Sequence, residues 1–237
     1  MWKKVSSLPS YVTRILLPAH GFFFVGLILI LYTQKFNYFW LSIIGWFLFG
    51  GLGIAIGWHR LLAHRAFPAS KWVERFLALL GVFGGQGSPL FWAASHRGAH
   101  HPYADQDRDI HSPKNGWWHA YLGWEFKQDH IQERVSLSPV RDLARDPFLV
   151  FLHKNHVKII WRTLFCLALL DWRLAYFGLL VPMIWSIHQE SFINLICHIP
   201  GIGYRNFETD DTSTNILWLG LLTWGQAFHN NHHADPR

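Results

Sequence analysis

The chain has 237 residues, of which 51% are hydrophobic, 17% aromatic and only 15% charged, well under the roughly 25% charge of an ordinary soluble domain. Its net charge of +6 comes from basic residues that alternate with Asp and Glu or flank apolar segments. That is a membrane-flanking pattern, and it argues against a nucleic-acid partner. Cys166 and Cys197 both lie in apolar runs, which leaves neither a disulfide framework nor a Cys-based metal spacing.

A mean hydropathy of only +0.12 implies a substantial polar part outside the bilayer. The N-terminus has no A-x-A-type cleavage site, so the first apolar run, residues 15–33, is read as a retained span. It carries no charge and is long enough to cross a hydrocarbon core of roughly 30 Å. The second run, 37–58, is also uncharged and comes after only Gln34, Lys35 and Phe36, so the two predict a tight helical hairpin. Residues 76–94 are apolar but contain Gly81, Gly84, Gly85, Gly87 and Pro89, a density that breaks a helix and predicts a re-entrant or interfacial segment. A third run, 159–170, contains Arg162. After a break at Asp171, Trp172 and Arg173 comes the fourth, 174–197, where Pro182 is tolerable if neighbouring helices satisfy the freed carbonyl.

Between His59 and Lys158 there are 13 Lys and Arg, against Lys35 alone in the first turn and Arg173 alone in the last. The positive-inside rule therefore places segments 59–158 and 198–237, with Lys3 and Lys4 and both termini, in the cytoplasm. The expected fold is an all-α integral membrane protein forming a single domain over 1–237. Four transmembrane helices carry a cytoplasmic helical cap with a histidine-rich di-metal site.

The sixteen histidines are what point to that site. His59 and His64 stand in HRLLAH, where the second span ends. His96, His100 and His101 stand in HRGAHH; His198 comes after Asn194 in NLICH; His229, His232 and His233 stand in HNNHH. Under the four-span topology all nine lie at one membrane face, and the spans are defined without them. On an α-helix, residues three and four apart share a face. His229, His232 and His233 are thus expected to point one way, His96 and His100 to pair with His101 turned aside, and His59 and His64 to straddle a helix end. Nine imidazoles divide as four or five over each of two ions. Imidazole suits Zn, Cu, Fe and Ni, and spacing alone leaves iron and zinc both open. A closed structural zinc site would usually include Cys, and an all-imidazole pair at a membrane face suggests iron activating dioxygen against a lipid-soluble substrate. His20, His111, His119, His130, His153, His156 and His188 are read as interfacial or supporting residues.

HRLLAH, HRGAHH and HNNHH, in this order and at these intervals, resemble the histidine boxes of membrane fatty acid desaturases. DQDRDIHSP, GWWHAYLGWEF and NLICH are similar to the Δ9 acyl-CoA/acyl-lipid branch, and the resemblance covers nearly everything from Gly45 onward. It implies an O2-dependent enzyme that inserts a cis double bond at mid-chain of a saturated acyl-CoA or acyl-lipid. Electrons would come from a separate donor, a ferredoxin or cytochrome-type protein. By the same resemblance His59, His64, His96, His100, His101, His198, His229, His232 and His233 would ligate two non-haem irons, and Asn194 would hold a metal-bound water. Trp117, Trp118 and Trp124 are candidates for the wall or mouth of an acyl tunnel, and Arg60, Arg97 and Lys114 for contacts to a phosphate-bearing head group. The second box is H-x3-HH where the acyl-CoA branch usually shows H-x2-HH. Family members normally continue past the third box, so the chain is expected to be C-terminally short.

Two other functions compete. A membrane hydroxylase or ketolase of the same superfamily would share the site and the hydrogen abstraction, and would differ only in the later fate of the carbon. A non-enzymatic metal carrier would need polar residues along a path through the spans, and the first two have essentially none.

Overall fold

The computed structural model describes residues 10–127 and 136–237; Lys3, Lys4 and His130 lie outside the described residues. Among those described there are helices and two isolated bridges but no strand. Helix α1 runs Val12–Thr33 and α2 runs Phe39–Ala63. The turn between them begins at Gln34, in the left-handed region at φ 54°, with its N–H on the Ile30 carbonyl at 2.8 Å. These two helices are long and apolar enough to cross a membrane, and only 28% and 39% of their most apolar stretches are buried within the protein. A soluble core helix would be mostly covered. Here Phe22, Ile28, Trp40 and Ile43 point outward instead.

Helix α2 changes winding partway. Phe39–Trp46 is α-helical, but Phe47–Ala63 closes i→i+5 bonds in a wider π-type coil, a rare form found frequently at functional sites. Against it packs α3, Lys71–Val82, which Ser70 caps by accepting from the Val73 N–H. The approach is close because both sides lack side chains: a Cβ on Gly53 would sit 2.5 Å from the Gly81 nitrogen. Small residues allow this backbone proximity in membrane helices. Trp58, fully buried, closes the seam by donating its indole N–H to the Ala78 carbonyl at 2.9 Å.

Helix α3 thus runs through Gly81, and the expected break comes just after it. Gly85 and Gly87 have φ of 73° and 87°, and α4, Pro89–Ser95, restarts from the cap Ser88. A second wide turn, His96–His100, extends α4, and the short α5, Trp117–Tyr121, comes next.

Helix α6 spans Pro147–Leu170, so the sequence-predicted run 159–170 is the second half of a longer helix. Helix α7 is built from Trp172–Ala175, Tyr176–Leu180 and Val181–Ile196, the middle piece again wide. Its Phe177 carbonyl accepts from the Ser42 hydroxyl of α2 at 2.9 Å, so a neighbouring helix does satisfy the backbone around Pro182. Two short helices end the chain, α8 at Leu217–Leu222 and α9 at His229–Ala234.

Candidate metal centre

The ends of α2, α4, α7 and α9 meet, and they bring the nine sequence-predicted histidines together in two sets. One holds His59, His64, His96, His101 and His232; the other holds His100, His198, His229 and His233. Within each set the nearest ligand atoms lie within 4.8 Å of one another.

The membership departs from α-helical expectation in three places, and winding explains two. His59 and His64 lie five apart, off-face on an α-helix, yet the i→i+5 coil aligns them, with the His64 N–H on the His59 carbonyl at 3.1 Å and ring centroids 4.9 Å apart. The wide turn at 96–100 does the same in the second box. There His96 pairs with His101, Nε2 to Nε2 at 3.0 Å, while His100 joins the other set. The residue that makes this box H-x3-HH is absorbed by the wider coil. In α9, which is an ordinary α-helix, the three rings do not point one way: His229 and His233 join the four-ring set and His232 the five-ring set.

In the five-ring set Nε2 atoms succeed one another: His59 to His232 at 3.0 Å, His232 to His101 at 2.9 Å, His101 to His96 at 3.0 Å, and His96 to His64 at 2.8 Å. A neutral imidazole nitrogen either donates one proton or accepts with one lone pair. Five such atoms in series cannot all be satisfied pairwise, because an inner acceptor would need two lone pairs. A shared cation resolves this, and the donor set fits a borderline metal such as Fe or Zn.

The four-ring set is oriented from behind. The His100 Nδ1 meets the Asp109 carboxylate at 3.2 Å, His198 Nδ1 meets Asp105 at 3.1 Å, and His233 Nδ1 meets Asp211 at 2.7 Å. His229 Nδ1 meets the Gln226 carbonyl at 3.2 Å. An ionised carboxylate or carbonyl only accepts, so each Nδ1 donates and each Nε2 lone pair is turned inward, the arrangement that orients metal-bound histidines. The His198 Nε2 is buried with no partner of its own.

Burial, reinforced by neighbouring rings, holds His96, His100, His101, His229 and His232 well below the ordinary histidine range, and His64 down to about 4. All are neutral and able to ligate at pH 7. Burial alone would push Asp105 up, but the bonds from His198 and Thr212 outweigh it and hold its carboxyl low; His233 and Ser213 do the same for Asp211. Asp105 sits at φ 59°, a strained conformation for a non-glycine, while its Oδ2 accepts from the Thr212 N–H at 2.6 Å and hydroxyl at 2.7 Å.

Asp105 and Asp109 fall in the DQDRDIHSP stretch, which carries the resemblance but gives them no role, and Asp211 and Gln226 are not singled out by the sequence pattern. Acidic residues four apart directly after the second box are the available signal for the first two.

A slot opens beside the centre, lined by Gln86, Trp92, His96, His111, Trp124, Glu125, Glu190 and Asn194 among others. Asn194 therefore faces the slot, one turn from His198. Burial raises the Glu125 carboxyl to about 8. Of the three tryptophans proposed for a tunnel, Trp124 lines the slot, whereas Trp117 and Trp118 are 70% and 62% exposed. Arg60 and Arg97 are committed to the protein. The first donates to the Trp224 carbonyl at 2.8 Å; the second donates to the Ala63, Leu62 and Pro139 carbonyls and pairs with Asp142 at 2.9 Å. Lys114 lies instead at a surface recess with Arg108 and Tyr103. Among the remaining histidines, His20 and His188 pair through Nε2 at 3.0 Å, His188 Nδ1 meets the Tyr121 hydroxyl at 2.7 Å, His153 Nδ1 meets Ser88 Oγ at 2.7 Å, and His156 meets the His153 carbonyl at 2.9 Å. His119 Nε2 donates to the Ile110 carbonyl at 3.0 Å.

Comparison with known proteins shows the family. The fatty acid desaturase profile matches residues 38–237. The chain is 38% identical over 194 residues to Delta-9 acyl-lipid desaturase 1 of Arabidopsis thaliana, covering 78% of this chain and 60% of that protein. It is 38% identical over 186 residues to sn-1 stearoyl-lipid 9-desaturase of Anabaena variabilis, covering 78% and 67%. Against a probable acyl-CoA desaturase of Schizosaccharomyces pombe it is 37% identical over 199 residues, covering 81% and 41%. The chain thus spans about 60 to 67% of the length of the first two relatives.

Proposed function

The chain belongs to the fatty acid desaturase family, and from that premise we propose that it introduces a cis double bond, at Δ9, into a saturated acyl chain carried on a lipid. The single observation that carries the reading is the convergence of nine Nε2-directed imidazoles in two sets beside a slot at the end of two apolar helices. The acyl-lipid assignment draws on the relatives, which are named acyl-lipid or stearoyl-lipid desaturases; acyl-CoA is the second carrier.

In this reading His59, His64, His96, His101 and His232 would hold one iron and His100, His198, His229 and His233 the other, and Asn194 would hold a metal-bound water. When bound, the irons would supply the dioxygen chemistry for removing two hydrogens from adjacent methylenes, with two electrons from a separate ferredoxin or cytochrome-type donor. The chain's own residues do the positioning. Asp105, Asp109 and Asp211 fix which nitrogen of each ring faces inward. Trp92, stacked on His96 with centroids 4.9 Å apart, forms with it one flat wall of the slot, and Gln86 holds it by accepting its indole N–H at 2.9 Å. Such a wall excludes water and confines an alkyl chain, which presents no group for hydrogen bonding. Helices α6 and α7 complete four spans, with both termini and the centre on the cytoplasmic side.

The test is expression in a bacterial host with little background desaturation and a matching donor, then gas chromatography with double-bond location, using His232→Ala as control. New Δ9 monounsaturated chains absent from the control support the reading. Hydroxylated chains would assign the protein to the related hydroxylases instead.

A further inference from the structure

Between Asn215 and the third histidine box runs ILWLGLLTWGQAF, residues 216–228, without a charge. An apolar stretch of this length is too short to span a bilayer and is normally a buried core helix or a re-entrant or interfacial segment. Here it is not buried. Leu217, Trp218, Leu221 and Leu222 of α8 are 61%, 59%, 77% and 52% exposed and form one face, while Leu219 and Gly220 turn inward. Soluble proteins rarely leave such a contiguous patch bare.

The path of the segment says what covers it. Its ends are tied, with the Ile216 N–H on the Ala227 carbonyl at 2.8 Å and a bridge from Asn215 to Phe228. Its tip turns back through two left-handed residues, Trp224 at φ 51° and Gly225 at φ 86°. The Trp224 ring lies along α2, below the metal centre: it meets Trp46 at 4.7 Å between centroids and Phe47 at 6.5 Å, and a Cβ on Gly51 would touch it at 2.7 Å. Those are positions in the apolar body of α2, whose neighbouring Ile43, Ile44 and Phe47 are themselves outward-facing. The exposed face of α8 is therefore continuous with the outward apolar face of a candidate span.

Non-helical backbone at such depth must have its polar groups satisfied. The Gly225 N–H reaches the Gly220 carbonyl at 2.8 Å, the Thr223 hydroxyl donates to Leu219 at 2.7 Å and accepts from the Ala227 N–H at 3.2 Å, and Arg60 reaches down to the Trp224 carbonyl.

We propose that residues 216–228 form a re-entrant loop whose Leu217, Trp218, Leu221 and Leu222 face is immersed in bilayer hydrocarbon, so that lipid contact seats the third histidine box. This rests on α2 as a membrane span. His229 comes directly after Phe228, and Gln226, whose carbonyl orients His229, belongs to the loop; the membrane surface and the metal centre then share one short piece of chain.

The test places single nitroxide labels on the full chain in liposomes, in a Cys166→Ser background because Cys197 is buried and Cys166 exposed. Leu221→Cys and Trp218→Cys probe the face, Ile43→Cys marks α2, and Glu208→Cys marks an exposed loop. Collision with oxygen, which concentrates in hydrocarbon, is compared with collision with a water-soluble nickel chelate. The expected result is an oxygen-to-nickel ratio at Leu221→Cys and Trp218→Cys matching Ile43→Cys and several-fold above Glu208→Cys. A ratio matching Glu208→Cys overturns the proposal, and low collision with both agents overturns it in favour of a protein cover. An aqueous ratio at Ile43→Cys as well would remove the premise about α2 along with the proposal.

Discussion

The two histidine sets are built by different means. The four-ring set is held from outside: each Nδ1 has an acceptor, three of them carboxylates supplied by loop residues Asp105, Asp109 and Asp211. The five-ring set is held by packing. Its rings meet edge to face at 4.4 to 4.9 Å, His96 lies parallel to His232 at 5.8 Å and stacks on Trp92, and no carboxylate is bonded to them among the described residues. Orientation can thus come from hydrogen bonds or from shape, and the two routes differ in charge. Three nearby carboxylates favour a more highly charged cation in the four-ring set, while the packed set offers neutral imidazoles alone.

The sharpest way to break this contrast is to remove a ring from the packed set. His232 touches both His59 and His101 through its Nε2, so His232→Ala cuts His59 off from the rest of the series. Metal analysis of the purified variant is expected to show loss of about one ion per chain, and product to fall below detection. Next comes the hydrogen-bonded set, where Asp211→Asn keeps the size of the side chain and removes the charge behind His233. Losing such a partner lowers metal affinity by about 10- to 100-fold, measurable by chelator competition. The packed set offers no equivalent single substitution.

Acidification acts on both sets. The folded protein holds His64 at about 4 and keeps His96, His100, His101 and His232 well below the ordinary histidine range, against about 6.5 for an unfolded chain. Below pH 6.5 the unfolded chain takes up protons that the folded one refuses, so folding loses stability as pH falls, from about 6.5 through about 4. The melting temperature of metal-free protein should be flat above pH 7 and decline across that window. Bound metal should be released in the same window, since protons compete for the nitrogens.

The smallest effect is expected outside the centre, at the Tyr121–His188–His20 series. His20 Nδ1 meets the Leu16 carbonyl at 2.7 Å and must donate there, so His188 donates to His20 and Tyr121 donates to His188. Tyr121→Phe removes one such bond, worth about 1 kcal/mol. A fall of a few degrees in melting temperature with unchanged metal content would confirm a role confined to holding α5 against α7.

What the sequence makes legible depends on how far each feature relies on distant partners. The nine histidines stand out because metal-binding side chains cluster whatever the path between them. Their division into sets does not, because α-helical spacing misplaces His59–His64 and His96–His101, both of which lie on the wider coil. The glycines of 76–94 signal a break; that Gly81 also lets α3 approach α2 depends on a partner helix that local sequence does not name. The roles of Asp105 and Asp211 escape notice for the same reason, since they reach His198 and His233 across distances of 93 and 22 residues. The charge of Arg97 suggests a head-group contact, yet its fork is filled by the Ala63 and Pro139 carbonyls and Asp142.

The glycine seam between α2 and α3 has a bearing on the centre that its distance conceals. Box one ends α2, and box two is reached from α3 through the short α4. With the Gly53 and Gly81 backbones in van der Waals contact, there is no slack between the two scaffolds that carry His59 and His96. A methyl group inserted there, well away from any imidazole, would act as a wedge between them. The spacing of the rings is in this sense gauged by the absence of two side chains, and a substitution remote from the rings can detune them.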